Sequence, residues 1–112
     1  MLTIPILIAW IVLSIGQATA RGQAKNSSAD VTKGKQVYAQ KCEICHYSTS
    51  AEKKIGPGLA GLMKRERFRN GMKANDEDLR RVIERGGKDM PGFRTSLKPA
   101  EIRDLIAYVK TL

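Results

Sequence analysis

At 112 residues the chain has room for one small domain, and 20 Lys and Arg against 11 Asp and Glu leave a formal charge of +9. Two cysteines and a single histidine cannot complete a four-ligand zinc site. The basic residues are spread along the chain rather than gathered in one block, which argues against nucleic acid and favours an acidic protein partner.

Residues 1–20 contain no charged side chain, run through Ile4–Leu13 as an apolar core, and end Ala18-Thr19-Ala20, an A-x-A pattern. This is the pattern of a cleaved secretory signal peptide, except that no Lys or Arg precedes the apolar core. The alternative is an uncleaved anchor, against which Arg21 and Lys25 lie on the exported side. Residues 21–29, with Gly, Ser and Asn and no apolar period, read as a flexible leader. The domain proper is expected over residues 30–112.

A helix is expected from Asp30, its N-cap, with Val31, Gly34, Val37, Tyr38 and Cys42 at three- and four-residue steps. Glycine inside a helix costs about 0.5–1 kcal/mol against alanine, so Gly34, with Tyr38, marks a close helix crossing. The helix leads into Cys42-Glu43-Ile44-Cys45-His46, a C-x-x-C-H motif that attaches a c-type haem. The two thiols suit the two vinyl groups of one porphyrin, and His46 suits the iron. A thioredoxin-like couple would need a βαβ context that this chain lacks, and a plain disulfide is the other alternative.

A polar stretch over residues 47–54 leads to Gly56-Pro57-Gly58, a turn. The carbonyl of Pro57 is expected to accept a bond from the imidazole nitrogen of His46 that faces away from the iron, orienting the ring and raising its basicity. Leu59–Met63 should form a short helix. Residues 64–71 form a charged surface segment, with Met72 following in a polar loop. Asn75 caps the next helix, Asp76, Glu77 and Asp78 occupy its first turn, Leu79, Val82 and Ile83 form its inner face, and Gly86-Gly87 ends it. Met90 precedes Pro91 and so stands on extended backbone, from which its thioether can lean into a site. The last helix begins at Pro99, with Ile102, Leu105, Ile106, Tyr108, Val109 and Leu112 as apolar positions and Lys98 in an N-cap place where its side chain cannot cap.

With one histidine in the chain, a second axial imidazole is excluded. Met63 reads as core filler and Met72 as exposed, so Met90, on its extended loop with glycines nearby and Pro91 behind it, is the expected sixth ligand, holding the iron with His46; a weakly held or absent sixth ligand is the alternative.

The motifs Gly34-x-x-x-Tyr38, Cys42-x-x-Cys45-His46, Gly56-Pro57-x-Leu59, Met90-Pro91-x-Phe93 and Leu105-x-x-Tyr108, in that order, resemble the small bacterial class I c-type cytochromes over residues 30–112. The resemblance implies an all-α cytochrome c fold, with several short helices wrapped around one covalently bound haem c. It also implies a crossing of the first and last helices at Gly34, Tyr38, Leu105 and Tyr108, and single-electron transfer in the periplasm. The chain departs from it in having no Trp after residue 20, so that Arg65 and Arg67 are the candidates for the haem propionates, and in the basic residues 64–69.

The expected function is a monomeric electron shuttle between acidic redox proteins, meeting a membrane only if the N-terminal segment is kept. A fixed electron-transfer subunit of a dehydrogenase or oxidase complex, and a haem-based sensor with a vacant sixth site, are the alternatives. No residue has the setting of an acid/base or nucleophilic catalyst, so an enzyme is not expected.

Overall fold

A computed structural model describes residues 28–112. The expected signal peptide and most of the leader lie outside the described residues; Ser28 and Ala29 are exposed and in no regular element.

Three helices carry the fold: α1 (Val31–Lys41), α2 (Asp76–Arg85) and α3 (Pro99–Val109). Asp30 caps α1, its carboxylate accepting the Lys33 N–H at 3.0 Å, while its own N–H donates to Oδ1 of the buried Asp104 at 2.9 Å. That second bond ties the start of α1 to α3. The helices cross at Gly34, where an added methyl would overlap the Asp104 carbonyl and Cβ of Tyr108. Tyr38 and Tyr108 continue the contact, their ring centroids 5.3 Å apart and tilted by 55°. Leu105 beneath them is 1% exposed, the most deeply buried residue of the core. Val31, by contrast, is exposed; the apolar face of α1 begins at Gly34 and not at its first residue.

α2 starts where Asn75 accepts the Asp78 N–H at 2.8 Å, buries Leu79 and Ile83, and stops at Gly86, whose φ of 68° suits a residue without Cβ. The chain then folds back along the end of α2: Gly87 N–H bonds the Met90 carbonyl at 2.9 Å, and Phe93 N–H bonds the Ile83 carbonyl at 2.9 Å. α3 packs on both other helices. Its N-cap residue Lys98 makes no side-chain cap, and Glu101 compensates by accepting the Lys98 N–H at 2.7 Å.

Three expectations are corrected. The short helix over Leu59–Met63 is a single 3₁₀ turn, Leu62–Lys64, because Gly61 before it takes a left-handed φ of 67°. The segment over residues 64–71 is not purely a surface run. Arg67 and Lys73 pair as an isolated antiparallel bridge, Gly71 turns the chain with a φ of 84°, and Phe68 is driven into the core. Met72, placed in this hairpin, is partly buried against the core rather than exposed. Among the described residues no helix is long and apolar enough to cross a membrane.

Candidate functional site

The C-x-x-C-H motif lies immediately beyond α1. Cys42 and Glu43 both donate their N–H to the Tyr38 carbonyl, and Cys45 and His46 both donate to the Cys42 carbonyl at 3.0 Å. The chain thus makes one more tight turn, which leaves the two thiols and the imidazole lining one cavity. Both thiols are free in the chain, Cys42 buried and Cys45 half-buried. Burial, and then the neighbouring Cys45, push the Cys42 thiol up to about 11. A dithiol redox couple works through a thiolate made easy to form, so this environment opposes that alternative.

His46 is held from several sides. Its Nδ1 lies 2.7 Å from the Pro57 carbonyl; as donor in that bond Nδ1 carries the proton, leaving Nε2 bare for a metal. Gly56 sits against the ring, where an added methyl would come within 2.5 Å of Cε1, and its N–H bonds the Cys45 carbonyl at 2.7 Å. The main chain is clamped as well, because the Tyr38 hydroxyl donates to the His46 carbonyl at 2.6 Å. Burial pushes that phenol up to about 12, with a side-chain bond to Ser48 opposing the shift. This hydroxyl is a part of the site that the sequence reading missed, since an aromatic residue at a helix crossing is fully accounted for by packing.

The cavity measures about 530 Å³, within the range of roughly 300–1,000 Å³ typical of ligand and cofactor sites. Its walls come from every part of the fold: Leu59 and Leu62 after the turn, Phe68 from the hairpin, Leu79 and Ile83 from α2, and Leu105 and Val109 from α3. Met90 and Pro91 line it too. A protein interior this small is normally close-packed, so an apolar hollow at the convergence of all elements is space shaped for an apolar group. With two thiols and an imidazole in its wall, the hollow fits a covalently held haem.

Of the two arginines put forward for the propionates, only Arg65 reaches the cavity wall, where its guanidinium donates to the carbonyls of Gly58 at 3.1 Å and Ala60 at 3.0 Å. Arg67 is exposed and bonds the Gly71 carbonyl at 2.9 Å, which serves the hairpin turn. Neither Met63 nor Met72 lines the cavity; both pack on the outside of the core, and the sulfur of Met72 lies 3.3 Å from Nδ2 of Asn70. The sequence reading also missed Phe68. The only available signal was that it is the single apolar side chain between Lys64 and Asn70.

Comparison with known proteins gives concordant results. A family model described as "Cytochrome C oxidase, cbb3-type, subunit III" matches residues 29–109. A cytochrome c6 from Nostoc sp. is 27% identical over 99 residues, covering 88% of this chain and 86% of that protein. Among solved structures, cytochrome c6 from the diatom Phaeodactylum tricornutum superposes with a TM-score of 0.60 at 25% identity, over 74% of this chain and 93% of that one. Cytochrome cH from Methylobacterium extorquens shares the fold, with a TM-score of 0.54 at 24% identity over 75% of this chain and all of that one.

Proposed function

Because the chain belongs to the family described as cytochrome C oxidase, cbb3-type, subunit III, and is a small class I c-type cytochrome that carries electrons on one covalent haem c, we propose the following assignment of its residues. Cys42 and Cys45 would hold the haem through two thioether bonds, and His46 and Met90 would ligate its iron. Pro57 orients His46 through its carbonyl. When bound, the haem supplies a one-electron ferric/ferrous couple, and a thioether on the iron favours the ferrous state. The chain's own part is to hold that group rigid and dry. The Pro57 carbonyl and the Tyr38 hydroxyl keep His46 from moving, and the apolar walls keep water from the iron.

The observation that carries this reading is the convergence of Cys42, Cys45, His46 and Met90 on one apolar cavity from two separate loops. The reading extends to an exported shuttle: residues 1–20 are removed as a signal peptide, the domain works in the periplasm as a monomer, its partners are acidic redox proteins, and it turns over no substrate of its own. A charge of +9 on so small a chain supports an acidic partner.

Mass spectrometry of the exported holoprotein tests the attachment. One haem per chain, no alkylatable thiol, and a haem that resists acid-acetone extraction are expected. Extraction of the haem with two free thiols left behind would contradict the assignment.

A further inference from the structure

His46 and Met90 reach the cavity by different means. The imidazole is fixed by contacts of its own, the Pro57 carbonyl on Nδ1 and Gly56 against the ring. A thioether ends an unbranched side chain with three rotatable bonds, so its place on the cavity wall is set by the main chain beneath it. That main chain is a loop, residues 87–92, closed on the last turn of α2. At its exit the Gly86 N–H donates to the Val82 carbonyl at 2.8 Å. At its return the Phe93 and Arg94 N–H groups donate to the carbonyls of Ile83 at 2.9 Å and Glu84 at 3.2 Å. Gly87 closes the loop across its middle, donating to the Met90 carbonyl at 2.9 Å.

The two ends of the loop touch main chain to main chain, and each contact falls at a glycine. A methyl on Gly86 would stand 2.3 Å from the Met90 carbonyl oxygen and 2.6 Å from the Gly92 nitrogen and the Pro91 carbonyl carbon. A methyl on Gly92 would stand 2.7 Å from the Glu84 carbonyl oxygen and 2.8 Å from the Arg85 carbonyl. These atoms are all main chain and cannot swing aside as the end of a side chain can. Gly86 also takes φ 68° with ψ −157°, backbone territory that essentially only glycine enters. Gly87, next in the chain, would carry a methyl into open space, so the requirement belongs to the crossing and not to the loop at large.

We infer that Gly86 and Gly92 are positioning residues for the sixth ligand of the iron. By letting the loop close directly on the end of α2, they fix where Met90 stands on the cavity wall. A methyl at Gly86 strikes Met90 itself, and one at Gly92 pushes the return of the loop off α2. The inference rests on the assignment of Met90 to the iron and adds the residues that hold it there. Its consequence is specific: loosening the crossing raises the fraction of molecules whose sixth position is open, with the sulfur still in the chain.

The test compares native holoprotein with Gly86→Ala, Gly92→Ala and Gly71→Ala. Gly71 is the control: its φ of 84° is also positive, but its methyl would meet nothing and it does not line the cavity. Two properties are read, the near-infrared sulfur-to-iron band of the ferric protein and the carbon monoxide affinity of the ferrous one. Carbon monoxide takes only molecules with an open sixth position, so Gly86→Ala should gain about tenfold or more in apparent affinity and lose most of the band. Gly92→Ala, at a residue without positive φ, should shift both properties the same way by less, and it decides the matter if Gly86→Ala yields no folded holoprotein. Gly71→Ala should lose stability to denaturant yet keep the band and change in carbon monoxide affinity by less than about threefold. Native values in both loop variants, or an equal change in Gly71→Ala, would overturn the positioning role. A native protein that lacks the band would instead overturn the assignment of Met90 to the iron.

Discussion

At the scale of single residues, the site depends on groups that never touch the iron. The Tyr38 hydroxyl, 2.6 Å from the His46 carbonyl, is the clearest of these. Tyr38→Phe keeps the ring packed against Tyr108 but strands that carbonyl in a largely buried place, at a cost of about 1–3 kcal/mol. Burial lifts the phenol to about 12, against an ordinary value of 10.0, so the folded state holds the phenolic proton more tightly than the unfolded chain. For a raised pKa the stabilisation is fully present below pH 10 and is lost as pH rises through about 12. Alkaline unfolding followed by circular dichroism should therefore show a component in that window in the native protein and not in Tyr38→Phe. An identical alkaline profile in both would show that the hydroxyl contributes nothing. Arg65 and Phe68 belong to the same scale, one bonding two loop carbonyls and the other closing the cavity wall.

At the scale of elements, the start of each helix follows from local chemistry. Asp30 and Asn75 accept N–H groups of their own first turns, and Pro99 stands at a first helical position. These were legible in the sequence because a cap is a contact between residues three apart. The Pro57 turn was legible for a similar reason, its carbonyl meeting His46 at 2.7 Å, and the C-x-x-C-H motif and the Met90 loop were legible as short strings that reach one cavity wall. Phe68 was not, since one apolar residue among Lys, Arg and Glu has no period, and only the hairpin bridge of Arg67 to Lys73 turns it inward. The single turn at Leu62–Lys64 was misjudged because helical residues surround a glycine whose left-handed φ cannot be seen in composition. The crossing of α1 and α3 at Gly34 makes the sharpest test of element packing. Gly34→Ala would gain about 0.5–1 kcal/mol in helix propensity, but its methyl would collide with main chain of α3, so a net loss of about 1–3 kcal/mol or more is expected in denaturant unfolding of the holoprotein. A stabilised variant would mean that the helices can part without cost.

At the scale of the whole molecule, the buried core is built around one apolar cavity. Three helices and their loops present apolar side chains to a cavity of about 530 Å³, and the haem carried there completes the interior. A domain of this size buries only roughly 60–65% of its unfolded surface, so the chain without haem should be poorly ordered, and attachment should precede stable folding. Lys41, Lys53, Arg69 and Lys88 line the cavity, while Asp76, Glu77 and Asp78 stand at the start of α2. We propose that His46 and Met90 together hold the iron of this single-electron carrier. Near-infrared absorption of the ferric protein and of Met90→Ala tests it most directly, with Met63→Leu and Met72→Leu as controls whose side chains do not line the cavity. The native protein and both controls should show a weak sulfur-to-iron charge-transfer band. Met90→Ala should lack it, and its ferrous form should bind carbon monoxide readily. A native protein without the band, already binding carbon monoxide at once, would contradict the account and favour a ligand sensor.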